Sequence, residues 1–307
     1  MPTATGAFGL EPSADQMREM GAAAVEYLTR FIDSLPDASA AGAVQDALEV
    51  AASLHGSPPE EGRTFAGVLN DVARGAAHAL EPAGPGYLAY IPGGGLYSAA
   101  LATFLASGVN RFVNLASTAP VFVQMETDVL RWLCDLFGLG PASGGILTTG
   151  GSMANLSAIV TARSARLPAD FLSGTIYVSE QAHASVAKAA KIAGFPGSNV
   201  VRVAVTPELR LNVDALAEAI GRDRAAGRTP FCVVANAGTT NTGAVDPIVA
   251  VAQLCERERL WLHVDAAYGG FFQLTERGGR DCRGSNARTR SPSTRTRGCS
   301  CPMARVR

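Results

Sequence analysis

The sequence predicts an α/β fold: a mostly parallel sheet with helices on both faces, preceded by an N-terminal helical arm. Three observations predict it. From about Gly145 onward, short β-branched or apolar runs alternate with helical runs, the signature of right-handed strand–helix–strand crossovers. The strand runs are continuously apolar, as a sheet covered on both faces requires. Ahead of them, apolar residues recur at helical spacing.

The arm comes first. Ser13 and Gln16 form a Ser-x-x-Gln capping box, and Met17, Met20, Leu28, Phe31 and Ile32 then recur at helical spacing to about Asp33. A polar stretch with Pro58 and Pro59 follows. A second amphipathic helix is expected from about Thr64 to Leu80, with Phe65, Val68, Leu69, Val72 and Ala76 on one face. Glu81–Gly86 is rich in Pro and Gly, so the chain turns there. Residues 1–86 therefore read as the arm and 87–278 as the large domain. Its strands are expected at Gly145–Thr148, Thr175–Ser179, Val200–Val205, Phe231–Ala235 and Leu260–Val264. Helices are expected at Met153–Arg163, Ser185–Ala193, Val213–Arg224 and Ile248–Glu256.

The last segment, Gly279–Arg307, breaks the pattern. Eight of its residues are Arg and three are Cys, and it has no Leu, Ile, Phe, Tyr or Trp. Such a segment cannot bury enough apolar surface to fold alone and is expected to be disordered.

Composition excludes several classes. The 307 residues are 47% hydrophobic and carry a net charge of -1. That supports a sizeable core and gives no basic stripe for nucleic acid. The N-terminus has no signal-peptide pattern, and the apolar stretch near Leu96–Val109 is too short to span a membrane. A soluble, cytoplasmic protein is expected. Cys134, Cys232 and Cys255 sit singly in apolar runs and read as buried free thiols. No Cys or His spacing suits a metal.

In open α/β sheets, ligands bind beyond the carboxyl ends of the strands. Four polar clusters fall there. Thr149-Gly150-Gly151-Ser152 precedes a helix, so the backbone can approach a ligand and the helix N-terminus can hold a phosphate; a simple capped turn would look the same. Glu180-Gln181-Ala182-His183 places an imidazole at a strand end, where it could stack on a flat ring or merely cap the next helix. The loop Asn236–Gly243 is rich in hydroxyl and amide side chains, which could face a ligand or bond their own backbone. Finally, His263-Val264-Asp265 ends an apolar run on a carboxylate. Burying that charge is expensive without a cation, which could be a protonated pyridine nitrogen or an Arg.

The segment HVDAAYGG at His263–Gly270 is the most specific of these, supported by GYLAYIPGG, APVFVQMETDVLRWL, GGILTTGGSMANLSAI, SEQAHASVAKAA and NAGTTNTGAVDPI. Together they resemble the group II pyridoxal-phosphate-dependent decarboxylases of aromatic amino acids, tyrosine and glutamate, from about Ser13 to Gly278. The resemblance implies the large domain of fold type I, with pyridoxal 5′-phosphate as cofactor. It implies that Gly151 and Ser152 hold the phosphate, that His183 stacks on the ring in a catalytic role, that Asp265 pairs with the ring nitrogen, and that Thr240 is a further cofactor contact. Gly93 matches a substrate-side position where relatives often carry a hydroxyl. The implied reaction is loss of CO₂ from an L-amino acid, with the protonated ring as electron sink. The implied partner is a second copy of the chain in a homodimer.

One expected element is missing. The family's Schiff-base lysine lies in an Asn/Asp-Pro-His-Lys segment, and the only two lysines here are Lys188 and Lys191, expected to be solvated on the helix after His183. Codons for Gly284–Val306, resplit one base earlier, can spell IERADSITLDPHKGLFLPYGTG, which contains that segment. The expectation is a chain frameshifted near Gly278–Gly279, without the lysine or the small C-terminal domain, and inactive as it stands. Two other readings remain open at this point. One is a serine hydrolase using Ser152, with Asp246 and His263 following in order. The other is a non-catalytic remnant that binds pyridoxal phosphate.

Overall fold

The computed structural model describes residues 11–41, 46–57, 60–91 and 93–276, and the backbone of 297–300. The chain forms two compact units, Met1–Val109 and Asn110–Arg307. The boundary between these units falls after a helix that ends at Val109.

The first unit is helical. Helix α1, Ala14–Ser34, starts at the expected capping box: the Ser13 hydroxyl accepts from the Gln16 amide, and the Gln16 side chain accepts from the Ser13 amide. Helix α2 is Ala47–Leu54. Helix α3, Phe65–Ala77, begins at Thr64, whose hydroxyl accepts from the Gly67 amide at 3.2 Å. Helix α4 spans Tyr97–Val109. Sequence reading did not find α2 or α4, and α4 has an evident reason: it is apolar nearly all round, so no 3.6-residue alternation marks it.

The second unit opens with α5, Pro120–Leu136, whose proline stands in the first turn, where its missing N–H costs nothing. Helix α6 is Gly151–Arg166. Then follow β1 (Gly174–Ser179), α7 (Ala184–Ile192), β2 (Val200–Val203), α8 (Val213–Ala225), β3 (Thr229–Asn236), α9 (Ile248–Arg257) and β4 (Trp261–Asp265). A last strand, β5, runs Arg297–Ser300. The sheet order is β2-β1-β3-β4-β5, with every pair parallel. The chain thus reverses direction of growth between β1 and β3, the place where such sheets open a crevice.

Period-two alternation sorts the core into two layers. Ile176, Val178, Cys232, Val234 and Trp261 pack with Ile159, Ala162, Val186 and Ala190 of α6 and α7. Tyr177, Val233, Ala235, Leu262 and Val264 pack with Leu216, Ile220, Val251 and Leu254 of α8 and α9.

Two expectations need correction. Gly145–Thr148 is not a strand; only Leu147 makes a bridge. Ile146 and Leu147 are 39% and 50% exposed, so this run lacks the burial that defines the sheet's other strands. The Gly279–Arg307 tail was expected to lack order, yet 297–300 pairs with β4, Leu262 opposite Arg297; the rest of the tail, with Cys282 and Cys301, lies outside the described residues. Cys134, Cys232 and Cys255 are buried, as read, and Cys232 and Cys255 are free thiols. No helix among the described residues is long and apolar enough to cross a membrane.

Candidate active site

The site forms where β1, β3 and β4 end. Asp265 is the last residue of β4 and is 8% exposed. One carboxylate oxygen accepts from the Ala267 amide at 3.2 Å, and the other accepts from the Asn155 side-chain amide at 3.0 Å. Among the described residues no Arg or Lys forms an ion pair with it. The carboxylate is therefore desolvated and hydrogen-bonded but lacks a charge partner, a state that a cation above the sheet end would complete. Among the described residues the alternative of an Arg partner finds no support.

The start of α6 lies against the same place. A Cβ built on Gly151 would stand 3.2 Å from the Cβ of Ala267, two residues beyond Asp265. Gly150 has a φ of 149°, in the region that favours glycine. The helix ladder begins with the Met153 and Ala154 amides, both donating to the Gly150 carbonyl at 3.1 Å. The Gly151 and Ser152 amides precede it and face the direction in which a helix N-terminus attracts an anion. Ser152 is exposed.

His183 caps α7. Its Nδ1 accepts from the Ser185 amide at 3.2 Å and lies 2.8 Å from the Ser185 hydroxyl, while the ring itself is exposed. Both the capping role and an accessible ring face are therefore present at once. Lys188 and Lys191 are exposed on the same helix.

Thr240 sits half-buried in the loop after β3. That loop is tied down by Asp246, whose carboxylate accepts from the Leu211 amide at 2.8 Å, the Asn236 amide at 2.7 Å and the Asn236 side chain at 2.9 Å. Burial raises the Asp246 carboxyl, and these three donors oppose the rise. Gly93 belongs to the first unit, exposed, with its amide donating to the Pro82 carbonyl at 3.2 Å.

Sequence reasoning missed the residue that joins these parts. Asn155, 1% exposed on α6, lies within 2.8 Å of the Ser185 hydroxyl, 3.0 Å of Asp265 and 2.8 Å of His263 Nε2. One buried amide thus links the elements that carry Asp265 and His183. The signal was available: Asn155 is the one polar member of the stripe Gly151, Asn155, Ala158, Ile159 and Ala162 that faces inward on α6.

The hydrolase arrangement is not assembled. Burial pushes the His263 imidazole well below the ordinary histidine range, with Asp265 opposing. Its Nε2 engages Asn155, and its Nδ1 has no partner among the described residues. Asp246 spends its oxygens on Leu211 and Asn236, and Ser152 is exposed while His263 is fully buried.

Residues 49–280 match the family described as the pyridoxal-dependent decarboxylase conserved domain. An aromatic-L-amino-acid decarboxylase of Bacillus atrophaeus is 36% identical over 270 residues, covering 88% of this chain and 56% of that protein. An L-2,4-diaminobutyrate decarboxylase of Rhizobium meliloti is 35% identical over 213 residues, covering 69% of this chain and 43% of that protein. The crystal structure of Oryza sativa TDC with PLP superposes with a TM-score of 0.80 at 26% identity, covering 90% of this chain and 62% of that one. The chain thus spans about half the length of the curated relatives it matches.

Proposed function

The chain belongs to the pyridoxal-dependent decarboxylase family, and from that premise we propose that its second unit holds pyridoxal 5′-phosphate and that the intact enzyme releases CO₂ from an L-amino acid. The observation that carries the proposal is Asp265, a nearly buried carboxylate at a strand end, supplied with hydrogen-bond donors but without a cation among the described residues. When bound, the cofactor supplies the electron sink for loss of the carboxylate.

The chain's own residues divide the remaining work. The Gly151 and Ser152 amides at the head of α6 bind the phosphate by hydrogen bonding and the helix dipole. Asp265 holds a proton on the ring nitrogen, because an adjacent carboxylate favours the charged form. His183 presents its exposed ring for stacking, and Thr240 borders the cofactor from the loop that Asp246 anchors. Gly93 matches a position that the resemblance puts on the substrate side, and a glycine there, without the hydroxyl that relatives often carry, leaves the amino-acid side chain undefined. The intact enzyme is read as a cytoplasmic homodimer.

The 307-residue sequence contains no Asp-Pro-His-Lys segment, and its two lysines are exposed on α7. We attribute the Arg-rich tail to reading in the wrong frame and expect this chain to hold the cofactor without a covalent link. The test pairs two proteins, the 307-residue chain and the product of the same gene with one base removed near the Gly278 codon. Borohydride should fix the cofactor in the proper-frame product at the restored lysine, with CO₂ release only there. Robust CO₂ release from the 307-residue chain would overturn the inactivity, and none from either would overturn the decarboxylase reading.

A further inference from the structure

Resting on the assignment of Asp265 to the ring nitrogen, we propose that Asn155 is a positioning residue whose side-chain amide, anchored at its oxygen end by the buried His263, aims the Asp265 carboxylate.

The argument is a hydrogen-bond inventory. An Asn side chain offers one acceptor oxygen and one NH₂ donor group, and the two ends are distinguished only by their partners. An ionised carboxylate can only accept, so the end 3.0 Å from Asp265 Oδ2 is the NH₂ group. The same NH₂ group donates to the Ser185 hydroxyl at 2.8 Å. The amide oxygen then faces His263 Nε2 at 2.8 Å, and that nitrogen must carry the hydrogen. His263 is fully buried, and its Nδ1 has no hydrogen-bond partner among the described residues.

The Asp265 carboxylate decides the orientation. In the flipped amide, two acceptor oxygens would stand 3.0 Å apart, and NH₂ would face Nε2. The His263 hydrogen would have to move to Nδ1, where it would be a buried donor without an acceptor. Nδ1 is thus unmatched in either orientation, as a bare acceptor in one and as a donor in the other, and the oxygen–oxygen contact with Asp265 falls on the flipped form alone. Asp265 therefore selects the amide orientation, and the hydrogen on His263 Nε2 holds its oxygen end.

The same amide reaches the other ring-facing residue. The Ser185 hydroxyl, having accepted from Asn155, is free to donate to His183 Nδ1 at 2.8 Å, beside the Ser185 backbone donor at 3.2 Å. The inventory leaves the His183 hydrogen on Nε2. One amide orientation is thus compatible with both the Asp265 acceptor and the His183 tautomer.

The test begins with the 307-residue chain without cofactor. Nitrogen NMR of the imidazoles at neutral pH should find His263 neutral with its hydrogen on Nε2. Finding that hydrogen on Nδ1, or an imidazolium, overturns the proposal without touching the cofactor reading. The second step titrates the chain with pyridoxine 5′-phosphate, which has no aldehyde to react with Lys188 or Lys191. Asn155→Ala and His263→Leu should each weaken binding by about ten-fold or more, the loss expected for a hydrogen bond to a charged group. His263→Gln, which restores an N–H near the Nε2 position, should bind as the parent does. Equal binding by parent, Asn155→Ala and His263→Leu overturns the positioning role. A parent chain that fails to bind overturns the Asp265 assignment itself.

Discussion

His263 stands directly beneath Asp265 on the same face of β4, since the two are separated by a single residue that points the other way. Its burial favours the neutral ring, which gives a sign to its effect on stability. The folded state holds the imidazole below its ordinary range, so the folded chain binds fewer protons than the unfolded one as pH falls. Its contribution is fully present above the unfolded value near about 6.5 and is lost progressively as pH drops below it. The unfolding free energy of the parent, measured with urea, should therefore decline between about pH 7 and about pH 5 by roughly 1 kcal/mol or more. His263→Gln, which has no proton to gain, should decline less. If the two profiles are equally steep, some other group carries the acid loss.

At the scale of elements, the site depends on how closely the turn after β4 approaches the end of β3. A Cβ on Gly269 would stand 2.1 Å from the Ala237 carbonyl oxygen, and one on Gly238 would meet the Tyr268 ring at 3.2 Å. The two turns are seated backbone to backbone, and they carry Asp265 on one side and the Thr240 loop on the other. Gly269→Ala must therefore force the turns apart. We expect a loss of about 2 kcal/mol or more in urea unfolding, the range for substitutions that create overlap in a packed region. An unchanged midpoint would show that the turns separate at no cost. Helices α6 and α7 contribute on the opposite side. Ile159 of α6 and Val186 and Ala190 of α7 share one layer and cover the same strands.

For the whole molecule, stability should be concentrated in the sheet. Tyr177, Val233 and Val234 are among the fully buried side chains, on the central strands β1 and β3. No residue of α1, α2, α3 or α4 is buried within the described chain. Native-state hydrogen exchange should find the slowest amides on β1 and β3, opening only with global unfolding, and faster exchange throughout α2 and α4. Slowest exchange in the first unit would contradict this ordering.

The sequence by itself determined the alternation of strand and helix, because period-two and 3.6-residue patterns are local consequences of side-chain direction. It placed β1, β3 and β4 close to where they lie, along with α6 to α9, the α1 capping box and the strand-end location of Asp265 and His183. It also carried the family resemblance, since HVDAAYGG keeps its order and spacing in one dimension. It could not find α4, whose uniform apolarity has no period, and it read Gly145–Thr148 as a strand because four apolar-rich residues look alike whether or not a neighbour pairs with them. Only the tertiary structure decided that Asn155, Ser185, His183, His263 and Asp265 form one hydrogen-bonded group. Asn155 and Asp265 are 110 residues apart in the chain, and their meeting depends on α6 packing across the sheet onto β4. Hydrogen bonds act over about 3 Å, so which polar groups satisfy one another is settled only when the layers close.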